Sequence, residues 1–245
     1  MAIIASDIHG DPAAARAFLE YQPDELHVCL GDLVDSRDKN ITEANEKRCL
    51  DLLLQSDSIL LWGNHDLAYL REEPWRAFCD FQGRVWPEFQ FARSRFLAAY
   101  AVDGWLCTHA GVSPGLARKI PSEVLAAGVD AVATWLNDEF LRELAIKNPH
   151  AAIPRYGYGP LFNIPVCRGG TDHFGGIFWF DADGEQSQPS HLLPQIFGHT
   201  PNDRPKKGVS VDLAGIEMSA PWVSLKTREG LWVYDTQRDE LVQVA

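Results

Sequence analysis

The sequence predicts an α/β fold, an α+β sandwich in which two mixed β-sheets pack face to face and helices flank them. Three observations lead to this prediction. The first third alternates short apolar runs with helical segments, the last third holds several strand-like runs, and polar clusters directly follow many of the apolar runs. A β-α-β-α-β order implies parallel strands with right-handed crossovers, whereas closely spaced strands are typical of antiparallel pairs.

The first third of the chain is predicted to form three buried strands separated by two helices. The strands are Ala2 to Ala5, His27 to Leu30 and Ser58 to Trp62. The first helix begins at Asp11-Pro12 and runs to about Tyr21, because proline is favoured in the first turn of a helix. The second runs from about Thr42, its predicted cap, to Gln55. In such sheets, functional groups collect beyond the carboxyl ends of the strands.

The middle of the chain is predicted to contain helices and one hairpin. The pattern is helical from Glu72 to about Tyr100, and a turn at 102–105 leads into a strand from Trp105 to Thr108. Residues 121 to 147 are again helical, and prolines and glycines then mark an irregular segment up to about residue 170. We interpret residues 112 to 170 as an insertion or cap within a single domain that spans residues 1 to 245.

The last third of the chain is predicted to form six short strands. They are Ile177 to Phe180, Gln195 to Phe197, Val209 to Asp212, Trp222 to Leu225, Leu231 to Tyr234 and Leu241 to Val244. The hairpin-scale spacing between the final ones predicts an antiparallel sheet. Trp179 and Trp222 are assigned to the core of this part.

The composition is ordinary for a soluble globular protein. Of the 245 residues, 46% are hydrophobic and 23% are charged, which is ordinary for a globular domain. No apolar stretch is long enough to cross a bilayer and no secretory leader opens the chain, so we expect a cytoplasmic protein. The five cysteines lie far apart without C-x-x-C spacing, which argues against a zinc-thiolate site or a disulfide framework and predicts buried apolar filler.

Five polar clusters bring together Asp, His and Asn side chains after the apolar runs. They are Ser6-Asp7-Ile8-His9-Gly10, Gly31-Asp32-Leu33-Val34-Asp35, Gly63-Asn64-His65-Asp66, Thr108-His109-Ala110-Gly111 and Gly198-His199-Thr200. Any one of these residues is equally well explained as a capping aspartate, a loop asparagine or a core histidine, but the whole set is not. Carboxylate, imidazole and amide donors without thiolate suit Mn, Fe, Zn or Co. The clusters predict a site for two divalent metal ions, with manganese as the expected metal.

Spacing within the clusters suggests how the side chains share the site. Asp7 and His9 are two residues apart, so an extended backbone would point both to one face. Asp32 ends the adjacent strand, where it could bridge two ions. Asn64 offers a neutral amide oxygen, which would leave a metal strongly Lewis-acidic.

The net charge of −12 argues against general nucleic-acid binding, because such proteins need a basic surface that releases counterions. An anionic substrate is still compatible with this charge. Two divalent cations in a cleft would add four positive charges locally and reverse the field there.

These clusters resemble the motifs of the calcineurin-like metallophosphoesterase superfamily, and within it the phosphoprotein phosphatase branch, which includes symmetrical diadenosine tetraphosphatases. That branch has G-D-x-H-G, G-D-x-V-D-R-G, G-N-H-E/D, H-A/G-G-x-S/P-P and a late histidine. This chain has S-D-I-H-G, G-D-L-V-D-S-R, G-N-H-D, H-A-G-V-S-P and G-H-T. The resemblance runs from Asp7 to His199 and implies a β-sandwich flanked by helices.

The resemblance also implies two metal ions that share one carboxylate. One ion would be held by Asp7, His9 and Asp32, and the other by Asp32, Asn64, His109 and His199. Two ions about 3.5–4 Å apart would share a bridging water, lower its pKa and hold it in line with the phosphorus.

Further roles follow from the same resemblance. His65 would be the general acid to the leaving alcohol, and Asp35 would orient it and keep it protonated, with Asp66 as an alternative partner. The arginine expected directly after Asp35 is Ser36, with Arg37 one place later. The shift leaves two alternatives, since Arg37 either reaches the phosphate or points away as an exposed charge.

A phosphate clamp is expected from the long loop. Arg168 is the best candidate because two glycines follow it and guanidinium binds phosphate bidentately, and Arg155 is second. Pro201 stands two residues after His199, where other branches of the superfamily have a second histidine. Its presence favours the phosphoprotein phosphatase branch.

The implied activity is metal-dependent hydrolysis of phosphomonoesters, such as a phosphorylated Ser/Thr protein or a small phosphate ester, without a covalent phosphoenzyme. One alternative is a symmetrical dinucleoside tetraphosphate hydrolase, in which residues 121 to 147 would help to form a cleft for two nucleosides. Another is a catalytically silent metal-binding scaffold. The displaced arginine favours the scaffold, whereas the intact ligand set and His65 argue against it.

Overall fold

The computed structural model describes residues 1–70, 81–146, 156–212 and 219–245. The strands are β1 (Ala2–Ala5), β2 (Leu26–Cys29), β3 (Ile59–Leu61), β4 (Phe96–Leu97), β5 (Tyr100–Val102), β6 (Trp105–Cys107), β7 (Gln195–Phe197), β8 (Lys206–Val211), β9 (Ser219–Ser224), β10 (Trp232–Asp235) and β11 (Glu240–Gln243). The α-helices are α1 (Pro12–Glu20), α2 (Glu43–Gln55), α3 (Trp86–Ala92), α4 (Pro114–Ala117), α5 (Ser122–Ala126) and α6 (Val129–Ala145).

The strands form two mixed sheets, as predicted. The first has the order β11-β10-β1-β2-β3-β4, in which β1 to β4 run parallel and β10 is antiparallel to both β1 and β11. The second has the order β5-β6-β7-β9-β8, with β6, β7 and β9 parallel and the edge strands β5 and β8 antiparallel to their neighbours. The last two strands, β10 and β11, form the expected antiparallel pair. The antiparallel pair β8–β9 lies in the other sheet.

Alternation along the strands explains how the sheets and helices form layers. Ile4 of β1 packs with Cys107 of β6 and Val223 of β9, so it lies between the two sheets. Its neighbour Ile3 belongs to a second cluster that includes Phe18 of α1. Because successive strand residues point to opposite faces, the first sheet has one face toward the second sheet and the other toward helices.

Helix caps fix where the first two helices begin. The Asp11 side chain accepts hydrogen bonds from the N–H groups of Ala13 and Ala14, with proline next in the first turn. Thr42 and Asn45 form a capping box at the start of α2. Such caps satisfy N–H groups that have no partner within the helix, and both starts agree with the sequence prediction.

The region predicted to be helical from Glu72 to Tyr100 is helical only in part. Its described residues form α3, one 3₁₀ turn, and the strands β4 and β5. Phe96, which fits the helical periodicity, instead lies on β4 and stacks on Trp62. Tertiary pairing with β3 has overridden a weak helical pattern here. Residues 72–80 lie outside the described residues.

The predicted strand from Ile177 to Phe180 is wrong. These buried residues form a tight turn, in which the N–H groups of Trp179 and Phe180 both donate to the Gly176 carbonyl. Phe178 packs against the aromatic ring of Phe162 rather than alternating between two faces. A short apolar run does not by itself distinguish a buried strand from a buried turn.

The helical prediction for residues 121 to 147 is confirmed over the described residues, as α5 and α6. Helix α6 packs against β5 and β6, and the Asn137 side chain accepts the N–H of Ala98. This helix therefore covers the second sheet and does not cap the strand ends. The interpretation of residues 112 to 170 as an insertion stays a prediction.

Two further predictions concerned membrane-spanning segments and the cysteines. Within the four described ranges, no helix is both long and apolar enough to cross a membrane. Cys29, Cys49 and Cys107 are free and buried, as expected of apolar filler. Cys167 is free but exposed, so the filler prediction is wrong for that residue.

Glu143 of α6 is expected to make the stability of the folded protein depend on pH. It is completely buried and accepts the N–H of Leu161 at 3.0 Å. Burial raises its pKa to about 8, above its ordinary value. Between these two values the folded protein binds more protons than the unfolded chain, so this group's contribution to stability is lost as the pH rises toward 8.

We expect Glu143→Gln to remove this dependence. The stability of the variant relative to the parent should rise between about pH 5 and pH 8, by up to about 1.4 kcal/mol per pH unit. Thermal unfolding of metal-free protein at four pH values measures the difference. Asp138→Asn changes an exposed carboxylate on the same helix and is the matched control. A stability difference for Glu143→Gln that does not change with pH would contradict the prediction.

Candidate metal centre

Most of the predicted site residues line one cavity of about 600 Å³. Eight of the ten line it directly: Asp7, His9, Asp32, Arg37, Asn64, His65, Arg168 and His199. His109 and Asp35 are fully buried. The five clusters follow β1, β2, β3, β6 and β7, so the carboxyl ends of parallel strands in both sheets meet at this cavity.

The backbone at the site is unusual. Nine non-glycine residues in the described ranges have positive φ, and five of them are predicted site residues: Asp7, His9, Asp32, Asp35 and His199. This left-handed conformation costs about 1–2 kcal/mol per residue and is typical of functional sites. The sequence suggested that an extended strand points Asp7 and His9 to one face. With positive φ at both residues, strand pleating is not the cause. Their side chains converge because the chain turns after β1 ends.

Two glycines allow the loops to approach each other closely. A Cβ at Gly63 would lie 2.1 Å from the Asp32 backbone nitrogen, and one at Gly198 would lie 2.3 Å from Asp7 Oδ2. Both distances are shorter than any real contact, so only glycine fits at either position. These glycines bring the candidate ligands of different strands together.

Asp66 ties two of these loops to each other. Its Oδ2 accepts the N–H groups of Asp32 at 2.8 Å and Gly63 at 3.0 Å, and its Oδ1 accepts the N–H of Leu33 at 3.0 Å. Because both carboxylate oxygens are engaged with backbone, Asp66 braces the site rather than acting as the alternative partner of His65.

The first group of donors lies on the side of β1. Asp7 Oδ1 is 3.8 Å from His9 Nε2, which is 3.9 Å from Asp32 Oδ2. A ring nitrogen of His65 also lies within 4.8 Å of donor atoms of His9 and Asp32. Asp7 Oδ1 is buried, and no described residue gives it a hydrogen bond. Such an atom is suited to a metal, because a buried carboxylate oxygen otherwise needs a partner.

The second group of donors is more tightly packed. His109 Nε2 lies 3.0 Å from Asn64 Oδ1, 3.2 Å from His199 Nδ1 and 3.5 Å from Asp32 Oδ2. The Asn64 Oδ1 atom is 2.9 Å from His199 Nδ1. Ligand atoms that are each about 2.0–2.2 Å from one metal ion lie about 3 Å apart. The spacing of this group fits that requirement.

Backbone carbonyls orient two of the imidazoles. Nδ1 of His9 is 3.1 Å from the Val34 carbonyl oxygen, and Nδ1 of His109 is 2.9 Å from that of Leu30. A carbonyl only accepts, so each Nδ1 carries a proton, and Nε2 is the ring nitrogen that would bind a metal ion. This is how metal-binding histidines are commonly held.

The electrostatics keep these groups in the ionisation states that metals bind. Burial lowers the pKa of His9 to about 4, and burial together with His109 and Arg168 holds the pKa of His199 well below its usual range. Burial opposes ionisation of Asp7, but Lys226 and nearby histidines outweigh it and lower its pKa. The His9 and His199 imidazoles are therefore neutral and the Asp7 carboxylate is charged at neutral pH.

These observations fit two divalent cations. The donor set is oxygen and nitrogen without thiolate, which suits Mn, Fe, Zn or Co. Asp32 belongs to both groups, with Oδ2 near His9 on one side and His109 on the other. The arrangement brings together all six predicted metal ligands, and it allows one carboxylate to serve both ions.

Asp35, predicted to orient His65, makes no hydrogen bond to it within the described part of the chain. Asp35 Oδ1 accepts the Tyr69 hydroxyl at 2.9 Å and the Gln82 N–H at 3.0 Å, whereas neither Asp35 Oδ2 nor His65 Nδ1 has a hydrogen-bond partner among described residues. Burial raises the pKa of Asp35 to about 7. The partner roles of Tyr69 and Gln82 had no signal in the sequence.

The two predicted phosphate ligands differ in how they are held. Arg168 Nε is 2.8 Å from Asp181 Oδ2, and its Nη2 donates to Thr200 Oγ1 at 2.8 Å. Two fixed partners hold this guanidinium at the cavity wall. Arg37 is exposed and lines the same cavity, so its position is compatible with a phosphate contact. Arg155 lies outside the described residues.

Several cavity residues were not predicted. Lys226 and Arg228 add two cations from the loop after β9, and Asp38 adds an exposed carboxylate. Trp179, assigned to the core, is indeed buried, but it also lines the cavity edge-on to His199. The only sequence signal for Lys226 was its place just beyond a strand end.

Comparison with known protein families agrees with this geometry. A family model described as calcineurin-like phosphoesterase matches residues 2–203, which include every predicted metal ligand. Among solved structures, the chain is similar to a protein serine/threonine phosphatase from Saccharomyces cerevisiae with similarity to human phosphatase PP5. The sequence identity is 14% and the TM-score 0.43, over 95% of this chain and 72% of that one. No curated protein matches. Because the family model spans well over half of the sequence, the chain belongs to the calcineurin-like phosphoesterase family.

Proposed function

We propose that this phosphoesterase hydrolyses phosphomonoesters with two divalent metal ions, manganese being the expected metal. The observation that carries the proposal is the pair of adjoining donor groups that share Asp32 and open into a cavity with Arg168 on its wall. Donors of this kind suit metal-assisted phosphoryl transfer, in which the protein supplies positioning and charge.

The roles of the chain's own residues follow from where they lie. When bound, the two ions would supply Lewis-acid chemistry and charge neutralisation at the phosphoryl group. Arg168, fixed by Asp181 and Thr200, would orient phosphoryl oxygens, with Arg37 as a second contact. The ring N–H of His65 would give its proton to the leaving oxygen. Asp35 would orient His65 indirectly, because no hydrogen bond joins the two side chains among the described residues.

We assign the chain to the phosphoprotein phosphatase branch, with a phosphorylated Ser/Thr protein or a small phosphate ester as substrate. The motif around His109 and the proline at position 201 support this assignment. The dinucleoside tetraphosphate alternative depended on residues 121 to 147 as part of the cleft. No described residue of that segment lines the cavity, and α6 packs on the second sheet instead.

The direct test compares substrates on metal-stripped protein that has been reloaded with manganese. p-Nitrophenyl phosphate and a phosphoserine peptide should be hydrolysed only with manganese present, and diadenosine tetraphosphate should be turned over more slowly. Fast, selective cleavage of the dinucleotide would instead support the nucleotide-hydrolase alternative. Two bound metals without turnover of any of the three would favour the silent scaffold.

Arg168→Ala should weaken binding of orthophosphate, the reaction product. Loss of a charge-assisted contact is expected to raise the inhibition constant of phosphate about tenfold. Competitive inhibition against p-nitrophenyl phosphate measures this constant. Arg204→Ala removes an exposed arginine that lies outside the cavity and is the matched control. An unchanged constant for Arg168→Ala would refute the phosphate-binding role.

A further inference from the structure

Lys226 and Arg228 approach the metal centre from a segment that is tied to the His199 loop. The N–H of Asn202 donates to the Lys226 carbonyl at 3.1 Å, and the N–H of Arg228 donates to the Asn202 carbonyl at 2.8 Å. Asn202 lies three residues after His199. The two cationic side chains are therefore mounted on backbone that is fixed relative to a candidate ligand, and both line the cavity.

The Lys226 ammonium is close to the centre but poorly paired. Its Nζ lies 3.9 Å from Asp7 Oδ1 and 3.5 Å from the Asp7 carbonyl oxygen, and its side chain is only 19% exposed. Asp7 Oδ1 is the atom offered to a metal ion in the proposed function. A carboxylate that is shared with a divalent cation holds an ammonium less strongly. Lys226 then needs another anion, because a largely buried charge without a partner is costly.

Arg228 is available to the same cavity. Its ion pair with Asp203 joins side chains that are 66% and 84% exposed. Exposed pairs of this kind contribute little to stability, so an anionic ligand can compete for the guanidinium at small cost.

The cavity contains more cationic side chains and more volume than one phosphoryl group requires. Arg168 already provides a fixed guanidinium for that group, held by Asp181 and Thr200. The cavity of about 600 Å³ lies in the size range of pockets for whole small molecules. A second anionic group of the substrate would use both the remaining space and the remaining cations.

We propose that Lys226 and Arg228 form a second anion subsite, which binds a second phosphoryl group on the substrate. This inference rests on the proposed function, and it narrows the substrate class to small phosphate monoesters that carry more than one phosphoryl group. Lys226 is thus a specificity-determining residue, because it contacts a group other than the one that is cleaved.

Calorimetric binding of two non-hydrolysable ligands tests the subsite. Imidodiphosphate carries two phosphoryl groups and methylphosphonate carries one phosphonyl group, and free manganese is held equal in cell and syringe. We expect the parent protein to bind imidodiphosphate at least about tenfold more tightly, as one additional charge-assisted contact predicts. Lys226→Met should reduce this preference about tenfold and Arg228→Gln about threefold, with methylphosphonate affinity nearly unchanged in both. Lys206→Met, on the exposed edge strand β8, is the control and should keep the full preference.

A direct manganese titration separates this role from a structural one. Lys226→Met should bind manganese as well as the parent or more tightly, because a cation beside Asp7 competes with the metal. Weaker manganese binding or a lower melting temperature would show that Lys226 serves Asp7, and the inference would fall. Equal loss of both ligands would overturn it too, by assigning Lys226 to the cleaved group. If the parent binds neither ligand and hydrolyses no monoester, the proposed function itself has failed.

Discussion

Replacing Asp32 with asparagine is expected to reduce manganese binding from two ions to at most one and to lower phosphoesterase activity about a thousandfold or more. Asp32 Oδ2 is within 3.9 Å of His9 Nε2 and within 3.5 Å of His109 Nε2, so it is the donor common to both groups. A neutral amide cannot balance the charge of two cations. Metals supply several kcal/mol of charge stabilisation in phosphoryl transfer, and that contribution would be lost. Metal analysis after gel filtration, together with steady-state kinetics, measures both effects.

Two controls separate this effect from misfolding. Asp38→Asn neutralises an exposed carboxylate of the same cavity that belongs to neither donor group, and it should retain both ions. The metal-free Asp32→Asn protein should melt at a higher temperature than the metal-free parent. Burial and the nearby Asp32 both raise the pKa of Asp66, and the substitution removes the repulsion from Asp32. Full activity with two bound ions would exclude the bridging role.

The layers of this fold were readable from the sequence because they rest on strong local signals. The apolar run at Ala2–Ala5 and the caps at Asp11 and Thr42 mark element boundaries independently of the rest of the chain. Phe96 and Phe178 were misassigned for the opposite reason. Each lies in a short apolar segment whose conformation is decided by its tertiary neighbours, Trp62 and Phe162 respectively. Periodicity over a few residues does not contain that information.

The candidate ligands were found because their residue types and order form an unusual set, but the conformation that unites them was not predictable. The sequence correctly predicted that the Asp7 and His9 side chains lie close together. The reason it offered, an extended strand, is wrong because both residues have positive φ. Positive φ at a non-glycine residue leaves no clear mark in a sequence. Lys226 escaped prediction because a lone lysine after a strand is normally a solvated charge. Lys226 lies in the cavity because its backbone is hydrogen-bonded to Asn202, in the loop that follows His199.

His65→Asn is expected to retain both metal ions and to lose turnover in a way that depends on the leaving group. A general acid contributes about 10²–10⁴-fold when the leaving oxygen must be protonated. For a phosphoserine peptide, whose alkoxide is a poor leaving group, we expect a loss of that size. For p-nitrophenyl phosphate, whose phenolate leaves without protonation, the loss should be much smaller. The ratio of the two kcat values, parent against variant, is the measurement.

The structure adds a second role for His65 that this experiment has to distinguish from general-acid catalysis. A His65 ring nitrogen lies within 4.8 Å of donor atoms of His9 and Asp32, so His65 is also placed where a metal ligand could stand. If His65 is a metal ligand, the variant should contain less manganese and hydrolyse both substrates more slowly by the same factor. If His65 is the general acid, the manganese content should stay the same and hydrolysis of the phosphoserine peptide should slow much more than that of p-nitrophenyl phosphate. His173→Asn, at an exposed histidine, controls for the substitution itself. Because the two roles differ in both metal content and leaving-group dependence, one variant assigns His65 either as the proton donor or as a ligand.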